Sequence, residues 1–111
     1  MIKSKRKGYV VERKTRIFFE KNGWKVVRAG GSFGEADLVC IKNGICILFQ
    51  VKSTKKPTFY YDGYMEGKFE GIPFYLIVDF GYGNIRVVSP KGKVKNNEGL
   101  ELIEFLNKEI Y

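Results

Sequence analysis

Residues 34–54 read GEADLVCIKNGICILFQVKST. Asn43-Gly44 stands between two apolar runs, the strongest short-range signal for a two-residue type I′ hairpin. Such a turn sets the register. With Lys42 opposite Ile45, Ile41 faces Cys46, Val39 faces Leu48, Asp37 faces Gln50 and Glu35 faces Lys52. Side chains alternate faces along a strand, so the last four residues share one side. Directly opposed Cβ atoms lie roughly 5 Å apart. An otherwise apolar hairpin therefore ends in a polar cluster. Burying carboxylates and a lysine there is costly unless they pair or bind something. The second arm, from Ile45, is apolar on both faces over most of its length, so it reads as a central strand covered on both sides.

The rest of the chain bounds what this cluster can be. With 111 residues it is long enough for one domain with one core, 1–111, and too short for two. It is 44% hydrophobic and 29% charged, an ordinary globular balance. Twenty Lys and Arg against 12 Asp and Glu give a net charge of +8, which points to a polyanionic partner such as nucleic acid. No apolar run approaches the roughly 20 residues that span a bilayer, and no apolar segment follows the basic N-terminus as in a secretory signal. The expected location is the cytoplasm, that of an infected host cell if the source is viral. Cys40 and Cys46 are not opposite each other in the hairpin register and read as small apolar core residues. Histidine is absent, which removes imidazole acid–base chemistry and argues against a Cys/His zinc site. Any hydrolysis must rely on carboxylates, lysine, tyrosine or a metal.

Residues 1–7, MIKSKRK, read as a basic arm, either solvated or touching DNA. From about Gly8 to Asn22 the pattern is helical, with Tyr9, Val10, Arg13, Ile17 and Phe18 at three- and four-residue spacings; Asn22-Gly23 closes it. Glu12 lies beside that apolar stripe. Residues 24–29 form a first strand. Gly30-Gly31-Ser32-Phe33-Gly34 is a loop whose backbone can approach a ligand closely. It lacks the lysine and hydroxyl of a Walker motif. Residues 58–70 are rich in Tyr and Phe but interrupted by Gly63 and Gly67. They are expected as a short irregular helix or an ordered loop, packing on the sheet, forming a dimer patch or stacking on bases. Strands are expected over 74–79 and 85–89, a polar loop over 90–97, and a C-terminal helix from Glu98 to Ile110. The sum is an α/β fold, a mixed five-stranded sheet flanked by helices.

The cluster has the parts of a metal-dependent nuclease. Hard divalent cations take oxygen ligands, and phosphodiester hydrolysis needs an activated water and charge neutralisation. A nearby lysine can orient that water and stabilise the developing charge. On these residues the chain resembles the archaeal and viral Holliday junction resolvases of the PD-(D/E)XK nuclease superfamily. The resemblance runs from about Lys7 to Ser89, through KGYVVERKTRIFFEKNGWKVVRAGGS, EADLV and ILFQVKS.

It implies a restriction-endonuclease-like fold and a symmetric homodimer that cuts four-way DNA junctions with Mg²⁺, Mn²⁺ being a possible substitute. Glu12, Asp37, Gln50 and the Val51 carbonyl would be the metal set, Lys52 would position water and Ser32 would lie near the scissile phosphate. The expected DNA contacts are Lys3, Lys5, Arg6, Lys7, Arg13, Arg28, Gly31, Ser32, Lys55 and Lys56. One position departs. The family normally carries glutamate two residues before the lysine, whereas this chain has Gln50; the Mrr-type restriction nucleases look similar in using glutamine there. Glutamine keeps an acyl oxygen for the metal and loses a charge. Glu35, opposite Lys52, either restores that carboxylate, pairs with Lys52 or faces solvent. Two other readings stay open: a catalytically silent junction-binding module of the same fold, and an Mrr-like nuclease acting on duplex DNA.

Overall fold

The computed structural model describes residues 2–108, with side chains from Val10 onward. It opens with helix α1 (Ile2–Lys21). The helix therefore begins well before Gly8 and takes in most of the expected basic arm. Lysine and arginine are good helix formers, and one interior glycine costs only about 1 kcal/mol. The buried stripe is Val11, Thr15 and Phe19, a strict four-residue repeat, while Val10 is 52% exposed. The expected stripe is thus turned by one residue. Thr15 is tolerated in it because its hydroxyl donates back to Val11 O at 2.9 Å. Gly23, at φ +90°, ends the helix as expected.

The strands that follow are β1 (Lys25–Arg28), β2 (Leu38–Lys42), β3 (Ile45–Ser53), β4 (Thr58–Tyr60), β5 (Lys68–Phe69) and β6 (Ile72–Asp79). Beyond these come β7 (Ile85–Val88), β8 (Lys93–Lys95), β9 (Leu100–Glu101) and helix α2 (Leu102–Leu106). The sheet order is β1-β2-β3-β6-β7-β9, with β5 paired to β6, while β4 and β8 form a separate two-stranded ribbon. The sheet is mixed, as expected: β3 and β6 run parallel and the other pairs are antiparallel. It has more strands than the five expected, because β5 and β9 are two-residue pieces with no periodicity to read.

The hairpin has the register set by its turn, from Lys42↔Ile45 to Leu38↔Phe49. Asn43 and Gly44 both take positive φ, 50° and 80°, as a type I′ turn requires. Cys40 therefore faces Ile47, and both cysteines are free.

The two helices lie on the same face of the sheet. Phe49 of β3 sits 5.1 Å from the Phe19 ring and 5.7 Å from the Phe105 ring, so α1 and α2 share one aromatic core. The opposite face is covered by residues 59–69 and the ribbon. There Leu48 and Phe74 meet Tyr64 and Phe69, and Leu76 and Val78 meet Tyr61 and Val94. Residues 58–70 contain no helix; they supply β4, a loop and β5. Their glycines raise the entropic cost of a helix, and their aromatic rings find a flat apolar sheet to lie on. The C-terminal helix is shorter than expected. Gly99, at φ +72°, packs closely against the Val87 backbone and starts β9 where a helix was read. Residues 109–111 lie outside the described part of the chain.

Candidate active site

Asp37 sits where the hairpin ladder ends. Its N–H donates to Phe49 O at 2.7 Å, one residue short of the expected partner Gln50, and its Oδ2 accepts from Val51 N–H at 2.8 Å. The carboxylate is thereby pinned to the backbone between Gln50 and Lys52. Oδ2 spends one lone pair on that bond; Oδ1 makes no hydrogen bond among the described residues. Burial raises the Asp37 pKa above the ordinary carboxylate value, opposed by the Val51 N–H and then by the charges of Lys52 and Arg28. Lys52 thus acts on Asp37 through its charge. Lys52 is exposed and makes no ion pair among the described residues.

Gln50 is buried, on the face away from the helices. The Tyr61 hydroxyl lies 3.3 Å from its Oε1 and 3.0 Å from Tyr64 O. Burial, with the nearby Glu35 carboxylate, pushes the Tyr61 phenol up to about 12, so it stays protonated at neutral pH. Tyr61 is a neighbour of Gln50 that the sequence alone did not single out. Its one signal was membership in a Tyr-rich segment, and nothing in the spacing ties position 61 to position 50.

Glu35 does not pair with Lys52. Its Oε1 accepts from Tyr64 N–H at 2.7 Å, holding residues 61–64 against the site. The slip at Asp37 is what breaks the expected Glu35–Lys52 pairing. Glu12 arrives from the helix face and meets Arg28 at 3.2 Å. Among the described residues no three Asp, Glu, His or Cys side chains gather as a ready metal cluster. The Val51 N–H bond puts the Asp37 carboxylate next to the backbone that carries Gln50, and a carboxylate with a neutral amide oxygen is a donor set suited to a hard divalent cation. Ser32 is exposed in the glycine loop, its N–H bonded to Ala29 O at 3.0 Å, and Gly30, Gly31 and Gly34 all hold positive φ. Arg13, Arg28, Lys55 and Lys56 are exposed. The side chains of Lys3, Lys5, Arg6 and Lys7 lie outside the described ones.

With this corner in view, comparison with known proteins is informative. Residues 3–106 match the family model of the archaeal Holliday junction resolvases. The chain belongs to that family. The crossover junction endodeoxyribonuclease Hjc of Methanocaldococcus jannaschii is 38% identical over 55 residues, half of this chain and 41% of that protein. A solved structure of Hjc from Archaeoglobus fulgidus, a Holliday junction resolvase, superposes with a TM-score of 0.69. That likeness covers 92% of this chain and 97% of the other at 18% identity, and so speaks for the fold. The resolvase family thus accounts for the mixed α/β architecture. Among the described residues, no helix is long and apolar enough to cross a membrane.

Proposed function

We propose that this protein is a divalent-metal-dependent endonuclease that cuts four-way DNA junctions as a homodimer. The observation that carries the reading is the Val51 N–H bond to Asp37 Oδ2, which fixes a carboxylate beside Gln50 and Lys52 at the exposed end of β3. Asp37, Gln50 and the Val51 carbonyl would hold Mg²⁺, or Mn²⁺ in its place, with Glu12 approaching from α1. A bound cation would neutralise charge on the scissile phosphate and lower the pKa of the attacking water. Lys52 orients that water and offsets the charge that develops on the phosphoryl oxygens. Ser32 and the amides of the glycine loop bind phosphate through a backbone free to come close. Two sites in a dimer would nick opposing strands.

Junction and duplex must be separated by competition. A labelled four-way junction is incubated with the protein and Mg²⁺ while unlabelled junction or linear duplex of the same sequence is added. Junction should compete at least tenfold better than duplex. Equal competition would assign the protein to duplex DNA instead. One observation favours a second reading: among the described residues no cluster of three metal-ligating side chains forms, as in a silent junction-binding module. Tight junction binding with no Mn²⁺ uptake in calorimetry would select it.

A further inference from the structure

The Tyr61 hydroxyl has two polar neighbours and one proton. Tyr64 O, at 3.0 Å, can only accept. The Gln50 amide, at 3.3 Å, can accept through oxygen or donate through nitrogen. Its two terminal atoms have nearly the same shape, so hydrogen bonding decides which stands where. If Tyr61 donated to Gln50, the Tyr64 carbonyl would face a phenolic lone pair. If Tyr61 donates to Tyr64, the Tyr61 oxygen is an acceptor, and Gln50 must present its N–H. Only the second arrangement makes both contacts hydrogen bonds.

We propose that Tyr61 is a positioning residue: it donates to Tyr64 O, accepts from Gln50 Nε2, and so turns Gln50 Oε1 outward beside Asp37, where a divalent cation would bind. The use made of that oxygen rests on the nuclease reading; the orientation itself does not. Among the described residues the outward atom of the amide has no partner and no buried side-chain polar atom lacks one, so that atom reaches solvent. The phenol is held as a support should be. Tyr61 is 5% exposed. Glu35 fixes the Tyr64 peptide through its N–H at 2.7 Å, and the Tyr64 ring packs 4.9 Å from Phe74. Gly63 fits because a methyl there would run into the Tyr61 hydroxyl and Glu35 Oε1. The arrangement also suits glutamine and not glutamate. A carboxylate at position 50 would demand the Tyr61 proton and leave the Tyr64 carbonyl without its partner.

The test begins with metal-free, ¹⁵N-labelled protein, the Gln50 side-chain amide being assigned by its loss in Gln50→Glu. One Nε2 proton should exchange slowly, show contacts to the Tyr61 ring, and lose both properties in Tyr61→Phe. A wild-type Gln50 amide exchanging at the rate of a free side chain overturns the assignment without need of the variant. Mn²⁺ binding, followed by electron paramagnetic resonance, should weaken about tenfold in Tyr61→Phe and far less when Tyr61→Phe is added to Gln50→Glu. Equal losses in both backgrounds would overturn the role of Tyr61 toward the cation. Wild type that takes up no Mn²⁺ while keeping the Tyr61-dependent amide signal would overturn the nuclease reading and leave the Gln50 orientation standing.

Discussion

Asp37 is placed against its own interest. Burial raises its pKa, and the Val51 N–H, Lys52 and Arg28 only partly oppose that. A carboxyl whose folded pKa lies above its unfolded one costs stability when ionised. That cost is full above the folded pKa and disappears as pH falls below the unfolded value. Asp37→Asn keeps an acceptor for Val51 N–H and removes the charge. It should therefore raise the melting temperature at neutral pH, with the gap to wild type closing on acidification, while cleavage falls at least ~100-fold. Calorimetric melts across pH check the sign; a variant less stable than wild type at neutral pH would contradict it. This is the trade expected where a site holds a charge for chemistry and not for folding. At this scale Asp37, Gln50 and Lys52 were legible in the sequence because one turn relates them. Tyr61 was not, since it meets Gln50 across a crossover whose path no local pattern encodes. Glu35 was placed near the site for the right reason and given the wrong partner. The ladder slips by one residue at Asp37, and a register argument cannot foresee where a ladder ends.

Among the elements, the hairpin was the most legible because Asn43-Gly44 admits few alternatives. The parallel β3–β6 pairing is the least legible, because a crossover leaves register to packing. The segment 59–69 shows why. Its aromatic rings pay no attention to helical or strand period; they cover the sheet face left bare by two helices on the other side. The loop within it is held by the Glu35 carboxylate on Tyr64 N–H. Glu35→Ala should free that amide. Hydrogen exchange at Tyr64 should quicken roughly tenfold, with the amides of β3 unchanged. Exchange that quickens through β3 as well would show that the loop and the sheet open as one unit. The C-terminal helix illustrates a different failure. An apolar repeat ran through 98–110, but Gly99 and the pairing of Leu100 with Val87 claimed its first turn for the sheet.

For the whole molecule, fold class and mixed sheet followed from the order of apolar segments, whereas the placement of both helices on one face did not. The net charge of +8 has a direct consequence for DNA. Binding through phosphates releases counterions, so affinity falls linearly in log–log terms with salt. With about six or more phosphates contacted, junction affinity should drop by at least ~10³-fold between 50 and 200 mM salt. Fluorescence anisotropy measures this, and a flat salt response would contradict an electrostatic grip on the arms. The same charge draws in every nucleic acid, so binding strength alone cannot identify the substrate; the chemistry at the Asp37–Lys52 corner must. The measurement that addresses it most directly is single-turnover cleavage of an end-labelled four-way junction in Mg²⁺ by wild type, Asp37→Asn and Lys52→Ala. Wild type should give paired nicks on opposing strands and both variants should fall to background; a wild type inert in Mg²⁺ and Mn²⁺, or variants that still cut, would contradict the account.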